Sequence, residues 1–128
     1  MIVDSNLIIL ASKSSHVEIL DWLLETPLSV SASSRVEVMG YRDMTEEERS
    51  TLNRLFAELQ VIAITDPILD EAIRLKQTKK MSLGDSIIAG TAILDGGNLA
   101  TRNLKDFQNI PGLIAEDPTR AADPIGDQ

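Results

Sequence analysis

The sequence has no cysteine. Disulfides, thiolate metal sites and cysteine nucleophiles are therefore excluded, and a reducing compartment is permitted. Aromatic residues make up only 3% of the chain, so a core has to be built from Leu, Ile, Val and Ala. The hydrophobic share of 43% in 128 residues is enough for one domain and too little for two. No apolar run approaches the roughly 18 residues needed to span a bilayer. The opening Met1-Ile2-Val3-Asp4 meets an acid at once and lacks the basic region of a signal peptide. These features predict a cytoplasmic protein with no membrane partner. Cations are also scarce: 12 Lys and Arg stand against 20 Asp and Glu, for a net charge of -8. Proteins that hold phosphates by charge alone are usually basic. Either nucleic acid is not the substrate, or bound cations carry the contact; solubility is the simpler use of the charge.

What is present alternates between short apolar strands and helical pieces. Met1 to Val3 reads as a strand that turns through Asp4-Ser5-Asn6 into the apolar Leu7 to Ala11. Ser15 with Glu18 forms a capping box for a helix whose stripe is Val17, Leu20, Leu23 and Leu24, ended by Pro27. Leu28 to Val30 is a second strand, followed by a helix capped by Ser31 or Ser33, with Ala32, Val36, Met39 and Gly40 on one face. Thr45 and Glu48 form another capping box ahead of Leu52, Leu55, Phe56 and Leu59. Val61 to Ile64 is β-branched, and Thr65-Asp66-Pro67 opens the next helix. Ser82 caps a helix stopped by Gly96-Gly97. Asn98 to Thr101 and Leu113 to Ala115 complete the strands. The pattern predicts a three-layer α/β fold: a mostly parallel sheet of four to five strands flanked by helices. The domain is expected over residues 1–115, with 116–128 a disordered tail.

In such a sheet ligands bind outside the carboxyl ends of the strands. Asp4 follows the first strand. Glu37 lies about one turn into the helix after the second. Asp85 sits at the start of the helix that precedes the strand at 98–101, and Asn103 and Asp106 follow that strand. Acids distant in sequence are thereby steered to one rim. Clustered carboxylates repel and hold protons more tightly, which a hard cation such as Mg²⁺ or Mn²⁺ relieves. The cation also brings a phosphate to an acidic protein. Each acid has a local explanation as well. Asp85 can complete a capping box with Ser82, Asp4 can cap the turn after the first strand, Glu37 can be a solvated helix residue, and Asp106 a turn residue.

The motifs resemble those of PIN domains. Ile2-Val3-Asp4-Ser5-Asn6 is similar to their opening motif, and Ser33-Ser34-Arg35-Val36-Glu37 to their Ser-plus-Glu helix. The run from Met81 to Ala92 resembles their central helix, and Ala100-Thr101-Arg102-Asn103-Leu104-Lys105-Asp106-Phe107 their last signature. Size and pattern are closest to VapC-type toxins of bacterial toxin–antitoxin pairs. The resemblance implies a Mg²⁺- or Mn²⁺-dependent endoribonuclease, a homodimer silenced by a small antitoxin protein. It implies that Asp4, Glu37 and Asp85 hold metal and position the attacking water, with Asp106 or Asn103 completing the site. Many relatives carry Asp where this chain has Asn103, which adds no charge. Ser5, Asn6 and Thr101 would orient carboxylates or the scissile phosphate.

Lys79 and Lys80 precede Asp85, and Arg102 and Lys105 flank Asn103; these cations are candidates for RNA phosphate contacts or for solvated helix ends. His16 is expected at the surface and Trp22 in the core or an interface. The competing functions are an inactive PIN-like module that binds RNA or a protein, favoured by Asn103, and a phosphoryl-transfer or receiver domain. The last lacks its acidic pair, because Asn6 stands two residues after Asp4, and no phosphate-binding loop motif occurs.

Overall fold

The computed structural model describes residues 1–13 and 15–121. Five strands form one sheet: β1 (Ile2–Val3), β2 (Ser29–Ser31), β3 (Gln60–Ile62), β4 (Asn98–Ala100) and β5 (Ile114–Glu116). Their order is β3-β2-β1-β4-β5, and every pairing is parallel. The helices are α1 (Ser5–Ala11), α2 (Val17–Glu25), α3 (Ala32–Met39), α4 (Glu46–Glu58), α5 (Asp66–Thr78), α6 (Leu83–Leu94), α7 (Leu104–Phe107) and α8 (Pro118–Ala121). The three-layer α/β expectation is met.

Strand alternation sorts the core into two layers. Ile2 and its register partner Leu99 point to one face, where they pack with Leu75, Ile88, Ala89, Ala92, Phe107 and Ile110 of the α5–α6–α7 layer and the turn beyond it. Val3 and its partner Ala100 point to the other, with Leu7, Ile8, Leu23, Val38, Leu52 and Leu55 from α1 to α4. Phe107 is the one aromatic among the fully buried side chains; aliphatics fill the rest, as the composition requires. Each such Leu or Ile removed from water contributes about 1.5–3 kcal/mol.

The helix ends follow from local chemistry. Thr45 and Glu48 make the reciprocal capping box. Thr65 caps α5, with Pro67 in its first turn, and Ser82 caps α6. Gly97 ends α6 with φ +92°, and its N–H reaches the Ala92 carbonyl at 2.7 Å. A Cβ there would lie 2.7 Å from the Gly112 carbonyl oxygen, so only glycine fits.

Several local expectations are corrected. The Ser15–Glu18 box does not form; α2 starts after His16, which makes no side-chain cap. Val17 and Leu24, placed on its apolar stripe, are exposed, and Ile19 and Leu23 are the buried pair. On α3 the buried positions are Ser34 and Val38, while Val36 is 75% exposed. β2 runs to Ser31 rather than Val30, and β3 ends at Ile62 rather than Ile64. The segment expected to fray from residue 116 is ordered as far as it is described. Glu116 pairs with Ala100, its carbonyl accepts the Thr101 N–H at 2.9 Å, and Asp117 is buried and accepts from the Thr119 N–H. An edge strand needs backbone partners more than apolar side chains, so composition did not reveal it. Residues 122–128 of the expected tail lie outside the described residues.

Candidate metal centre

The chain builds β1, β2 and β3 toward one edge, then crosses back to place β4 and β5 on the other side of β1. The crevice between the carboxyl ends of β1 and β4 is therefore the switch point of the sheet. Asp4 directly follows β1 there and Thr101 directly follows β4. The Asp4 N–H donates to the Ala100 carbonyl at 2.8 Å, continuing the ladder. Its side chain is 3% exposed. The Thr101 hydroxyl donates to Asp4 Oδ2 at 2.7 Å, and the Ser5 N–H donates to Oδ1 at 2.8 Å. Asp4 is thus also the N-cap of α1, so its local explanation and its place at the crevice are both realised. Thr101 is in turn fixed by the Asn103 N–H, which donates to its Oγ1 at 2.9 Å.

Two other acids, Glu37 and Asp85, stand near enough for their charges to act on Asp4. Glu37 reaches back from α3, and the Ser5 hydroxyl donates to its Oε1 at 3.2 Å. Asp85 occupies the third position of α6, where its N–H donates to the Ser82 hydroxyl at 3.1 Å. Burial pushes the Asp4 carboxyl above the ordinary Asp value, and the charges of Asp85 and Glu37 push it further; the Thr101 and Ser5 hydrogen bonds oppose this. Burial also raises Asp85, with the charge of Asp106 adding to it and Ser82 opposing. Electrostatic coupling therefore links Glu37 and Asp85 to Asp4, and Asp106 to Asp85. Among the described residues no three acids or histidines stand at metal-holding distances from one another. The nearby side-chain groups are all oxygen donors, and one of them is a buried carboxylate that faces the charges of two others. That suits a hard ion such as Mg²⁺, which takes one or two carboxylates and keeps its waters.

Residues 1–113 match the family model for the PIN domain. The chain belongs to the PIN-domain family. A chain from a toxin–antitoxin complex of Klebsiella pneumoniae superimposes on it with a TM-score of 0.72 and 31% identity, covering 88% of this chain and 94% of that one. VapBC2 from Rickettsia felis, bound to a DNA fragment from their promoter, gives 0.72 at 23% identity over 91% and 96% of the two chains. FitAcB from Neisseria gonorrhoeae gives 0.71 at 17% identity over 91% and 96%. At these last two identities the likeness is one of fold. No curated protein matches the chain.

The remaining candidates of this PIN domain separate into groups. Asn103 N-caps α7 without a side-chain cap, and its backbone rather than its amide supports Thr101. Asn6 Oδ1 is buried without a partner among the described residues. Asn6 and Asn103 line a recess of about 370 Å³ with Arg102 and Lys13; sequence reasoning had singled out Arg102 but not Lys13. Lys13 is held by Glu48 at 3.0 Å, a contact between the loop after α1 and the first turn of α4 that no local signal announces. Lys79 is engaged structurally: its ammonium donates to the Gln108 carbonyl at 2.8 Å, tying the end of α5 to the segment after α7. Lys80 and Lys105 are exposed. Trp22 is half-buried and lines a cavity of about 600 Å³ with Leu10, Ile19, His16, Arg102 and Pro118.

Proposed function

We propose that this PIN domain is a divalent-cation-dependent endoribonuclease, the toxin of a toxin–antitoxin pair. The observation that carries the reading is the buried Asp4 carboxylate at the switch point, pinned by Thr101 and Ser5 and facing the charges of Asp85 and Glu37. Asp4, Glu37, Asp85 and Asp106 would hold Mg²⁺ or Mn²⁺, and Asp106 rather than Asn103 completes the set, because its charge bears on Asp85. When bound, the ion lowers the pKa of water and stabilises charge on the departing oxygen. Thr101 and Ser5 orient Asp4, so that its carboxylate direction is fixed by donors on two sides. Arg102, Lys80 and Lys105 offer phosphate contacts on an otherwise acidic surface. The water oxygen bonds to phosphorus as the bond to O3′ breaks; the proton passes to the departing oxygen, leaving a 3′-hydroxyl and a 5′-phosphate.

The family and the Klebsiella pneumoniae toxin–antitoxin complex support an antitoxin partner for this chain. A homodimer belongs to the same reading and is supported by the exposed Val17 and Leu24 on α2. None of the described helices is long and apolar enough to cross a membrane. A cytoplasmic location would give the enzyme its RNA.

The test is RNA cleavage by protein purified free of any partner, with Mg²⁺, with Mn²⁺ and in chelator. Asp4→Asn, Glu37→Gln and Asp85→Asn are each expected to lower the rate at least about a hundredfold. Undiminished cleavage in chelator rejects the mechanism. The wide spacing of the acids favours one rival, an inactive binding module. Calorimetry decides: that module takes up no Mn²⁺.

A further inference from the structure

Gly84 is the second residue of α6, between Leu83 and Asp85. It is not one of the positive-φ glycines, which are Gly96, Gly97 and Gly112, so the backbone does not require glycine there. Alanine is the better helix former at such a position. What the position lacks is room. A Cβ on Gly84 would lie 3.1 Å from Glu37 Oε2 and 3.8 Å from its Cδ. The other oxygen of that carboxylate, Oε1, accepts from the Ser5 hydroxyl at 3.2 Å. Glu37 is otherwise an exposed side chain on α3. Its free end is bounded on one side by a hydroxyl of α1 and on the other by bare backbone of α6.

We propose that Gly84 is a positioning residue: its missing side chain, together with the Ser5 hydroxyl, forms a slot that seats the Glu37 carboxylate between the residue that follows Asp4 and the residue that precedes Asp85. A methyl group at 84 moves that carboxylate by a few tenths of an ångström, enough to weaken the Ser5 hydrogen bond, which is already long. The helix itself gains from the exchange. Function and stability are thus driven in opposite directions by one methyl group.

This inference rests on the metal-dependent reading above, and its test has an arm that does not. Isothermal titration of the full chain with Mn²⁺ is run on wild type, Gly84→Ala, Glu37→Gln and the double variant. Gly84→Ala is expected to weaken Mn²⁺ binding about tenfold, as disturbed supporting groups do. Its metal-free melting temperature is expected to hold or rise. In the Glu37→Gln background the same change is expected to do nothing more. Wild-type affinity in Gly84→Ala, an equal loss in both backgrounds, or a lowered melting temperature overturns the proposal. In metal-free protein the side-chain carboxyl ¹³C resonance of Glu37 is expected to shift on Gly84→Ala. An unmoved resonance overturns the slot, whatever the metal does. A wild-type chain that binds no Mn²⁺ while that resonance moves removes the nuclease reading and leaves the slot standing.

Discussion

Asp4 and Glu37 belong to one candidate centre and are held in opposite ways. Asp4 is 3% exposed, directly follows the central strand, and receives donors from the residue after a neighbouring strand and from its own helix. Glu37 is exposed and is restrained by one hydroxyl and one glycine. The first carboxylate is part of the fold, and its charge works against the fold because burial disfavours it. The second sits at the surface of the fold and is held by those two contacts alone. On the metal-dependent reading, the buried acid would fix where the negative potential lies and the exposed acid would complete the oxygen set around the ion.

The strongest way to break that contrast is to neutralise each acid in turn. Both Asp4→Asn and Glu37→Gln are expected to cost at least about a hundredfold in cleavage. Their metal-free melting temperatures should separate them. Asp4→Asn removes a buried charge and is expected to raise the midpoint. Glu37→Gln is expected to leave it unchanged. Equal shifts in thermal melts would mean that Asp4 is no more strained than a surface carboxylate.

Next in size is Thr101→Val, which keeps the shape and deletes the hydroxyl between Asp4 and the Asn103 N–H. A buried acceptor left without its donor costs about 1–3 kcal/mol, readable by denaturant titration. Ser5→Ala removes a longer bond at an exposed acid and is expected to cost less stability.

The pH dependence sharpens the comparison further. Folded Asp4 and Asp85 hold protons more tightly than in the unfolded chain. Their contribution favours the folded state fully below the ordinary Asp value and is lost as pH rises through their raised values. On the proposed reading Mg²⁺ would compete for the same oxygens and act in the other direction. The increase in melting temperature caused by Mg²⁺ is therefore expected to shrink steadily as pH is lowered from about 7 to about 4, the approach to the usual Asp pKa. An increase that stays constant over that range would place the ion away from both carboxyls.

How much of this was legible in the sequence depended on whether a residue's role was local. Thr45 with Glu48, Ser82 before α6 and Thr65 with Pro67 announce themselves because caps act within four residues. Asp4 and Asp85 could be placed on one rim because parallel topology fixes which strand and helix ends share it, and the sheet order realises that topology. The short strands were less readable. β2 buries Ser29 and Ser31 on the two sides of Val30, and β5 leaves Ile114 exposed, so neither alternates as a pattern search expects. The faces of α2 and α3 were misjudged because a helix of two turns touches the core with only two residues. Gly84 left no trace at all. Its role lies in a distance to a residue 47 positions earlier, 84 − 37, which no local rule encodes.

The smallest effect tests the support beneath the exposed acid. Ser31 and Ser34 are both fully buried at the start of Glu37's helix. Ser31 caps it, accepting from the Ser33 N–H at 3.2 Å, whereas the Ser34 hydroxyl has no partner among the described residues. Ser31→Ala is expected to cost about 1 kcal/mol, the usual loss of an N-cap. Ser34→Ala removes an unmet hydroxyl and is expected to stay within about 0.5 kcal/mol of wild type or to stabilise. Neither change touches the Glu37 carboxylate, so Mn²⁺ affinity should follow only the fraying of the helix that carries it. A loss of Mn²⁺ affinity in Ser34→Ala at unchanged stability would show that the buried hydroxyl serves the acids, and that the Glu37 side of the candidate centre is more firmly built than its exposure suggests.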